Sequence, residues 1–472
     1  LRLNTLKIFM PDFISIAPFP LAPVGDWEPA DFIATDDSRP GYHSHHYVRL
    51  YYLRKRHMRT IREIREHELD ELIRITVEAF PGMKVESQVD RDRMRERLVK
   101  VINEPIVHFF GVFEEEDMVG VMRCYDFTMK LRETRMLVGG LGAVAVDLRH
   151  KKEHVAADMV RFYLDYYRQK GAALTALYPF RPDFYHRMGF GYGVKMNRYS
   201  FRPDALPAAG LGARVDYLTA ADRDDLAACY DRFLARTNGL IEMPPHVLDA
   251  LFADTSGRIV GYRENGALRG YLVFRFEPAP GDNWLTNNIQ LRTLIYDDAA
   301  ALMALLGFLR KQADQVGRII YETQDETFHY VLNDPRDGSG NLLAGLWHQT
   351  NTQGLGIMYR AIDMTRLLAV LGDHDFGGIT LRLRLNLTDS FLPENAGSYL
   401  IDVSNGRATL DNGAADVELG MDIADFSSLV VGAVGFERLY AYGRVTLSDA
   451  GMADMVSRLF AARVRPWCLT HF

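Results

Sequence analysis

A pattern of strands and helices repeats in this chain at a spacing of about 150 residues, and such internal self-similarity strongly limits the possible folds. Each copy reads as a strand and an amphipathic helix, then two apolar runs joined by a polar turn, then a strand, a helix and a strand. The three segments occupy 58–80, 108–127 and 141–178 in the first copy and 213–235, 258–276 and 289–323 in the second. The repeat predicts two α/β domains of common ancestry.

The length of the chain sets the number of domains. A chain of 472 residues has room for three domains of roughly 150 residues each. The stretch from Asp26 to Arg56 mixes Pro, Asp, His and Tyr without a period, whereas a strand and an amphipathic helix follow from Met58, so we expect folded structure to begin there. The first 57 residues are then an irregular N-terminal extension, either an appendage or sequence upstream of the natural start. The predicted domains span 58–205, 206–362 and 363–472.

Composition and motif content argue against several classes of function. A net charge of -7 and a pI near 6.1 lack the basic footprint of nucleic-acid binding. Cys124, Cys229 and Cys468 do not have zinc-site spacing and predict a reduced, metal-free interior. The chain contains neither a GxSxG elbow nor a Walker A motif.

The first residues give no sign of a membrane segment or a metal site. Four prolines interrupt the moderately apolar stretch from Ile8 to Gly25, so neither a spanning helix nor a signal sequence fits. We therefore expect a cytoplasmic protein without a membrane partner. His43, His45 and His46 lack a pattern of carboxylate partners and are expected to be solvated rather than to bind a metal.

The stretch VAVDLRHKKEHVAADM at 144–159 places a strand, a basic loop and a helix start in succession. Unpaired N–H groups and the positive end of the helix dipole can hold a diphosphate there without a metal. Four residues of the loop add charge that favours an anion: Arg149, His150, Lys151 and Lys152. The alternative is a solvated basic helix start, because runs of charge are commonly plain surface.

A second motif, FYHRMGFGYG at 184–193, follows the next strand, and Gly171 stands where the intervening helix should end. The element order and the two motifs resemble the GNAT acetyltransferase fold. The resemblance implies that Tyr185 is the general acid for the departing CoA thiolate. A phenol of pKa about 10 suits this role, because it stays protonated at pH 7 while a thiolate of pKa about 8.5 leaves. A buried packing tyrosine is the alternative.

The same resemblance implies acetyl-CoA as co-substrate, with no metal. The residues expected at the cofactor are Val144, Ala145 and Val146 on the pantetheine, Lys152, Glu153, His154, Val155, Ala156 and Ala157 on the diphosphate, and Phe180 and Arg181 beside it. The chain departs from the family loop at His154, which stands where the family has its key glycine.

The second copy differs where the first would bind its cofactor. Its helix start reads TLIYDDAAALMAL, with Asp297 and Asp298 at the place of the phosphates, and TQDETFHYVLNDP replaces the tyrosine motif. Carboxylates repel phosphates, so this domain is predicted to be a structural partner without a cofactor site. One active site per chain follows.

From about residue 363 the pattern changes, and the three stretches GGITLRLRLNL, SYLIDVSNGRATL and ADVELGMDIADFSSLVVG alternate in strand fashion before a helix-like SDAGMADMVSRLFAA. This part resembles the α+β sterol carrier protein 2 fold. By itself it would suggest lipid transfer, which is a competing hypothesis. Two GNAT-like copies followed by this domain resemble the enhanced intracellular survival (Eis-like) N-acetyltransferase family over residues 58–472.

That resemblance implies an N-acetyltransferase that acts by direct attack of an amine, with the C-terminal carboxylate of Phe472 as base and Trp467 and Phe472 as apolar anchors of the tail. The acceptor would be a small-molecule or peptide amine such as an aminoglycoside, a polyamine or a lysine side chain. The resemblance also implies a homo-oligomer, with a hexamer as one form. The alternative is a degenerate GNAT that binds acyl-CoA or lipid without catalysis, motivated by His154.

Overall fold

The computed structural model describes residues 59–280, 285–372 and 374–472. These residues form two compact units. The small unit contains residues 59–124 and 143–162, and the large unit contains the described residues of 125–142 and 163–472. The predicted extension at 1–57, Met58 and the histidines His43, His45 and His46 lie outside the described residues.

The helices and strands of the first repeat include those that its pattern predicts and four others, at 88–101, 182–186, 191–192 and 195–201. They are β1 (Arg59–Glu63), α1 (Leu69–Ala79), α2 (Gln88–Val101), β2 (Val107–Glu114), β3 (Asp117–Leu131), β4 (Thr134–Val146), α3 (Val155–Gln169), β5 (Leu174–Leu177), α4 (Pro182–His186), β6 (Gly191–Tyr192) and β7 (Lys195–Phe201). In the small unit the strands follow the order β1-β2-β3-β4, and in the large unit the order β3-β4-β5-β16-β6, where β16 is Met358–Ala361.

The second repeat and the connection after it supply the next elements. They are β8 (Val215–Tyr217), α5 (Arg223–Arg236), α6 (Pro245–Ala253), β9 (Arg258–Glu264), β10 (Ala267–Pro278), β11 (Asn287–Tyr296), α7 (Ala299–Arg310), β12 (Val316–Thr323), β13 (Leu342–Leu343), β14 (Trp347–His348), β15 (Asn351–Leu355) and β16. A seven-stranded sheet of order β15-β7-β12-β11-β10-β9-β8 forms in the large unit.

Helix α3 ends as the sequence predicts, at a glycine in the left-handed conformation. Gly171 has φ 90°. Its N–H donates to the Arg168 carbonyl at 3.0 Å, and the Ala172 N–H donates to the Tyr167 carbonyl at 2.9 Å. This pair of bonds is a Schellman motif, which satisfies the last carbonyls of the helix and turns the chain into β5.

The two repeats exchange their last strands within the large unit, which the sequence reading did not anticipate. Strand β7 follows the first repeat but pairs with β12 and β15 of the second sheet. Strand β16 follows the second repeat but pairs with β5 and β6 of the first. Because each sheet is completed by a strand from the other repeat, neither repeat closes its own sheet.

The C-terminal region combines a five-stranded sheet with helices. Its elements are α8 (Met364–Val370), β17 (Leu381–Thr388), β18 (Gly397–Ser404), β19 (Arg407–Asp411), β20 (Val417–Asp422), α9 (Ile423–Val430), α10 (Phe436–Ala441), β21 (Val445–Leu447) and α11 (Ala453–Phe460). The strand order is β19-β18-β17-β20-β21. Its buried side chains form one cluster with those of β16 and the large-unit parts of β3 and β4.

One segment of this region was read incorrectly as strand. The stretch ADFSSLVVG forms α9 instead, and the Asp422 side chain caps it by accepting the Ala424 N–H at 2.9 Å. All eight residues of α9 are buried. Hydrophobic periodicity cannot separate a short segment that is buried on every side from a buried strand.

A buried ion pair joins β16 to the C-terminal region. Arg360 Nη2 donates to Asp389 Oδ2 at 2.7 Å, and neither side chain is exposed. Arg360 Nη1 donates to the Met188 carbonyl, which lies in the predicted tyrosine motif. The guanidinium passes where a Cβ at position 189 would stand, so Gly189, with φ 80°, accommodates both the turn and the arginine.

No helix among the residues that the structure describes combines the length and the apolar character needed to cross a lipid bilayer.

Replacing Arg360 by Met should destabilise the protein strongly, because it leaves the Asp389 carboxylate buried without a counter-charge. We expect the free energy of unfolding to fall by about 3–5 kcal/mol, measured as a lower urea midpoint. Arg336→Met is the matched control: it removes an exposed pair with Asp334 at 2.6 Å and should cost about 0.5 kcal/mol or less. Equal losses in the two variants would contradict this role of Arg360.

Candidate active site

Strand β4 carries the residues predicted to hold pantetheine. Its ladder with β5 ends at the pair Leu141 and Leu177. Ala143 then has φ 50°, a left-handed conformation that is uncommon for a residue with a Cβ. In the small unit Ala145 is buried, and its neighbours Val144 and Val146 are half-buried. The strand therefore continues past its ladder with β5 through the predicted segment.

The loop before α3 has the conformation that an anion site needs. Lys152 and His154 have φ 68° and 65°, and the helix begins at Val155. The first helical bond runs from the Asp158 N–H to the His154 carbonyl at 3.0 Å, so the N–H groups of Val155, Ala156 and Ala157 precede it and have no intrahelical acceptor. A left-handed residue followed by helical ones directs successive N–H groups into a concave anion-binding nest.

His154, which stands at the position of the family glycine, thus has a positive φ of the kind that glycine adopts without steric cost. Its side chain is exposed, together with those of Lys151, Lys152 and Glu153. A left-handed residue with a Cβ costs roughly 1–2 kcal/mol relative to glycine. Histidine is among the residues enriched in this conformation.

An arginine that sequence reasoning missed holds this loop. Arg59 Nη1 donates to the Glu153 carbonyl at 2.7 Å and to Asp158 Oδ2 at 2.9 Å, while Nε donates to Glu114 Oε1 at 2.8 Å. The carbonyl and N–H of a peptide point in opposite directions. By holding the Glu153 carbonyl, Arg59 fixes the direction of the His154 N–H in the nest.

The basic cluster that the sequence predicts is only partly free for a ligand. Arg149 is bound to the buried Asp147, with Nη2 to Oδ2 at 2.9 Å. That hydrogen bond, followed by one from Arg74, holds the pKa of Asp147 well below its usual range. His150 Nδ1 lies 3.1 Å from Glu153 Oε2. Lys151 and Lys152 are the exposed cations that stand next to the nest in the sequence, while the exposed Arg149 is held by Asp147.

Three groups in the small unit have the spacing of metal ligands. Atoms of Glu114, His150 and Glu153 all lie within 4.8 Å of one another. Arg59 contacts both carboxylates, at 2.8 Å for Glu114 and 3.5 Å for Glu153, and so already supplies positive charge there. The expectation of a metal-free protein stays a prediction. The three cysteines are free and buried.

Tyr185 lies in the large unit on the short helix α4 and is only 6% exposed. Burial raises its pKa to about 12. Its carbonyl accepts the N–H groups of Met188 at 2.9 Å and Phe190 at 3.1 Å, which shapes the turn after the helix. The phenol is therefore protonated at neutral pH and can donate a proton, although a higher pKa makes it a weaker acid than a free tyrosine.

The chain's last residues are bound into the large unit. The N–H of Trp467 donates to the Asn238 carbonyl at 2.7 Å, and the N–H of Cys468 donates to Gln324 Oε1 at 2.5 Å. The Tyr178 hydroxyl donates to the Thr470 carbonyl at 3.2 Å. Each bond holds a successive part of the segment, so this tail is not frayed.

Phe472 is buried in an aromatic pocket and is only 2% exposed. Its ring centroid lies 4.9 Å from that of Phe127, 5.2 Å from Tyr178 and 5.7 Å from Tyr125. A Cβ at Gly142 would stand 2.9 Å from the Phe472 carboxyl carbon. The carboxyl group therefore lies directly against the backbone of β4, and a glycine inside a strand is the sequence signal that could have found this close approach.

The remaining predicted cofactor residues lie in the large unit, at the surface. Phe180 is 75% exposed. Arg181 is exposed and pairs through two hydrogen bonds with Asp183, at 2.6 and 3.1 Å. The large unit thus contains Tyr185, Phe472, Phe180 and Arg181, and the small unit contains the other predicted residues, 144–146 and 152–157.

The corresponding helix start in the second repeat is covered by its own side chains. Asp298 Oδ1 accepts the Ala301 N–H at 3.0 Å at the first turn of α7, and Arg269 donates to Asp298 Oδ2 at 2.8 Å. Asp297 pairs with Arg232 at 2.9 Å. A carboxylate caps this helix at the place where the first repeat has unbonded N–H groups, which supports the prediction of a single cofactor site.

Comparison with known proteins identifies three domain types along the chain. Residues 60–193 match a family model described as an acetyltransferase (GNAT) domain, and residues 236–354 match a second model of that description. Residues 368–469 match a sterol carrier protein domain. The chain therefore consists of two GNAT domains followed by a sterol carrier protein domain.

Similar curated proteins narrow the class of protein to which this chain belongs. An uncharacterized N-acetyltransferase of Streptomyces coelicolor is 26% identical over 373 residues, covering 75% of this chain and 86% of the relative. N-acetyltransferase Eis of Mycobacterium tuberculosis is 25% identical over the same length and coverage. The chain belongs to the GNAT N-acetyltransferase family and is similar to N-acetyltransferase Eis over 75% of its length.

Solved structures share the fold. The GCN5-related N-acetyltransferase from Anabaena variabilis aligns with a TM-score of 0.73 at 16% identity, covering 88% of this chain and all (100%) of that one. The corresponding protein from Kribbella flavida aligns with a TM-score of 0.70 at 19% identity and the same coverage.

Replacing His154 by Gly should stabilise the protein, because glycine adopts positive φ without steric cost. After allowing for the greater freedom of glycine in the unfolded chain, we expect a gain of about 0.5–1 kcal/mol. Ala156→Gly, two residues on and inside the helix, should instead lose about 1 kcal/mol. Urea unfolding of both variants measures the difference. Destabilisation by His154→Gly would contradict the left-handed assignment.

Replacing Gly142 by Ala should displace the tail, because the new Cβ would meet the Phe472 carboxyl group. Overpacking of this kind costs about 1–3 kcal/mol, and the displaced tail should become accessible to carboxypeptidase. Gly317→Ala is the matched control, since its nearest neighbour lies at an ordinary 3.5 Å. A tail that stays protected in Gly142→Ala would contradict the close approach.

Proposed function

We propose that this protein transfers an acetyl group from acetyl-CoA to a primary amine. The observation that carries the proposal is the start of α3, where Lys152 and His154 have positive φ and the N–H groups of Val155, Ala156 and Ala157 lie before the first helical hydrogen bond. Such a helix start binds a diphosphate through backbone donors alone. Residues 152–157 would hold the diphosphate of coenzyme A, and Phe180 and Arg181 would lie beside the cofactor.

Pantetheine would pair with the backbone of Val144, Ala145 and Val146 as an added strand. This assignment is supported by the end of the β4 ladder at Leu141. Backbone N–H groups of the segment could also stabilise the oxyanion that develops on the acetyl carbonyl.

The reaction would be a direct transfer. The amine nitrogen attacks the acetyl carbonyl carbon, the carbon–sulfur bond breaks, and the thiolate takes a proton from the Tyr185 hydroxyl. The amine gives its proton to the Phe472 carboxylate. An α-carboxylate of reference pKa about 3.3–3.7 is a weak base in water, and removal of water from around it strengthens it. The contact of the Phe472 carboxyl group with Gly142 supports its assignment as the base.

The acceptor class stays open within the primary amines. An aminoglycoside, a polyamine and a lysine-type amine are the candidates that follow from the resemblance to Eis. A homo-oligomer, with a hexamer as one form, and a cytoplasmic location also remain predictions that rest on this resemblance. Turnover with a panel of such amines would identify the acceptor.

The alternative is a non-catalytic protein that binds acyl-CoA or lipid. For its lipid form, one apolar cavity can be described in the sterol carrier protein domain. The cavity beside Leu367, Phe426 and Phe460 has apolar walls and a volume of about 20 Å³, which is room for about one water molecule. An acyl-CoA sensor would bind the cofactor without releasing thiol, so turnover separates the two functions.

Thiol release from acetyl-CoA with a panel of amines tests the proposal. The wild-type chain should show saturable release, and Tyr185→Phe should lower kcat by about 100-fold with little change in the KM for acetyl-CoA, since only the proton donor is lost. Because the pKa of Tyr185 is raised to about 12, loss of its proton should not reduce the rate between pH 7 and 10.

A second variant tests the proposed role of the Phe472 carboxylate as the base. One glycine added after Phe472 moves the carboxylate away from Gly142 and should also lower kcat, whereas Phe180→Leu, outside the two proton-transfer roles, should change mainly KM. Acetyl-CoA binding without thiol release would leave the non-catalytic alternative. Absence of any acetyl-CoA binding would sink both the acetyltransferase and the acyl-CoA sensor and would leave lipid binding by the C-terminal domain as the remaining alternative.

A further inference from the structure

A cluster of three ionisable side chains joins the turn between β3 and β4 to the C-terminal region of the large unit. Arg132 and Glu133 lie in the turn, and His374 lies in the loop after α8; the three are here called the turn cluster. Arg132 and His374 are buried, with 6% and 8% exposed, whereas the Glu133 side chain is largely exposed. Arginine is almost never buried this deeply without partners, so the contacts of the cluster indicate its role.

The hydrogen bonds of His374 require a neutral ring. Arg132 Nη1 lies 3.0 Å from His374 Nε2, and a guanidinium can only donate, so Nε2 accepts. The ring proton is then on Nδ1, which donates to Glu133 Oε2 at 2.5 Å. A protonated imidazole has an N–H at both nitrogens and cannot accept from Arg132. Protonation would therefore break this bond and place two cations next to each other.

The Arg132 guanidinium holds the beginning of the C-terminal segment. Its Nη1 also donates to the Ala461 carbonyl at 2.9 Å, and its Nη2 donates to the carbonyls of Phe460 at 3.2 Å and Val430 at 3.4 Å. Helix α11 ends at Phe460, and the segment 461–472 follows it. The two acceptors of Nη1 are thus His374 and the first residue of this segment.

The turn and the strand that follows it contact the segment at both ends. Arg132 lies just before β4, and Gly142 within β4 lies against the Phe472 carboxyl group. The Arg132 N–H also donates to Asn238 Oδ1 at 2.8 Å, and the Asn238 carbonyl accepts the N–H of Trp467. The turn therefore acts on the segment through the guanidinium and through Asn238.

The guanidinium depends on the acceptors that it has. Among the residues that the structure describes, Arg132 Nε has no hydrogen-bond acceptor, although it is buried. Loss of His374 as an acceptor would leave a second N–H of the same group buried and unpaired. Such a state is unfavourable unless the guanidinium moves or water enters.

The charges that face His374 come from the turn, from β3 and from its own loop. Burial lowers the pKa of His374 and the Arg132 charge lowers it further, while Glu133 and Asp375 act in the opposite direction. Arg132 stays charged at neutral pH, because burial lowers its pKa only to about 10. Lys130, whose amine donates to the Arg132 carbonyl, is a further cation there. Since the folded pKa of His374 lies below the usual value of about 6.5, its stabilising effect is present above that pH and is lost as the pH falls through the folded pKa.

We propose that Arg132 is a positioning residue for the segment 461–472 and that His374 makes its hold on this segment depend on pH. When the imidazole takes up a proton, Arg132 loses its acceptor on Nε2, and the guanidinium moves away from the ring together with the carbonyls that it binds. The beginning of the segment is then held at neutral pH and loosened in mildly acidic solution. Any consequence for turnover rests on the proposed role of the Phe472 carboxylate, whereas the hold on the segment does not.

Hydrogen exchange of the full chain at pH 7.5 and 5.5 tests the proposal, with rates corrected for the intrinsic pH dependence of exchange. The N–H groups of Trp467 and Cys468 are hydrogen-bonded, so their protection reports how firmly the segment is held. In the wild type this protection should fall by about five-fold or more at pH 5.5, as expected for a buried donor that loses its acceptor. Peptides from β10, in the second sheet, should keep their protection.

Two variants of the turn cluster sharpen the test. His374→Gln offers an acceptor to Arg132 and a donor to Glu133 but does not titrate, so protection should match the wild type at pH 7.5 and should no longer fall at pH 5.5. Glu133→Gln removes an exposed carboxylate that favours the protonated ring, so the loss of protection should shift to lower pH. Circular dichroism should show both variants folded at pH 7.5.

His471→Gln is the matched control, because His471 lies in the segment itself and burial lowers its pKa as well. This variant should keep the pH dependence of the wild type. Four outcomes would overturn the proposal: equal protection of the segment at both pH values in the wild type, a pH dependence that survives in His374→Gln, a pH dependence that disappears in His471→Gln, or an equal loss of protection in β10. Because exchange does not require acetyl transfer, a chain that shows this pH dependence but releases no thiol would fail the proposed function alone.

Discussion

Much of the large unit depends on the guanidinium of Arg360, which no water reaches. It bonds the Met188 carbonyl of the tyrosine motif and the Asp389 carboxylate that follows β17, and it is itself carried by β16. A buried charge that lost its partner would cost several kcal/mol. These three segments must therefore stay together, and the position of Tyr185, a few residues before Met188, depends on their doing so. The exchanged strand β16 is what brings the arginine to this place.

The second GNAT domain also holds the C-terminal tail of the chain through buried polar contacts. Asn238 accepts the Arg132 N–H at 2.8 Å through its side chain and donates to the Val431 and Val464 carbonyls at 3.0 and 3.1 Å. Its own carbonyl accepts the N–H of Trp467. An apolar residue here would leave buried backbone groups unpaired. A domain whose helix start is closed by Asp298 thus still has a physical role, which is to hold the segment that ends at Phe472.

The sequence predicted most of the strands and helices of the two repeats, but it did not predict which strands pair with one another. The spacing of apolar side chains along a strand or helix is a local property of the sequence, so the strands and helices of both repeats could be predicted from it. The exchange of β7 and β16 could not, because an alternating strand has the same pattern in either sheet. Arg59 was missed for a similar reason, because it acts through contacts to Glu153 and Asp158, which lie 94 and 99 positions away in the chain. Tyr185 could be named as a candidate from the sequence because its motif is a short continuous stretch of the chain.

The loop at His154 shows why a departure from a family motif need not remove the family's geometry. A glycine there supplies positive φ without strain, but the ligand would interact with the directions of the N–H groups and not with the residue type. In this chain the same direction is imposed from outside, since Arg59 binds the carbonyl on one side of the peptide whose N–H belongs to His154. The strain of roughly 1–2 kcal/mol is of the same order as the contribution of a hydrogen bond from a charged donor, which is about 1.5–3 kcal/mol, and Arg59 makes such bonds to the Glu153 carbonyl and to the partly exposed Glu114 and Asp158 carboxylates. Conformation here is therefore held by tertiary contacts, which a motif search on the loop alone cannot detect.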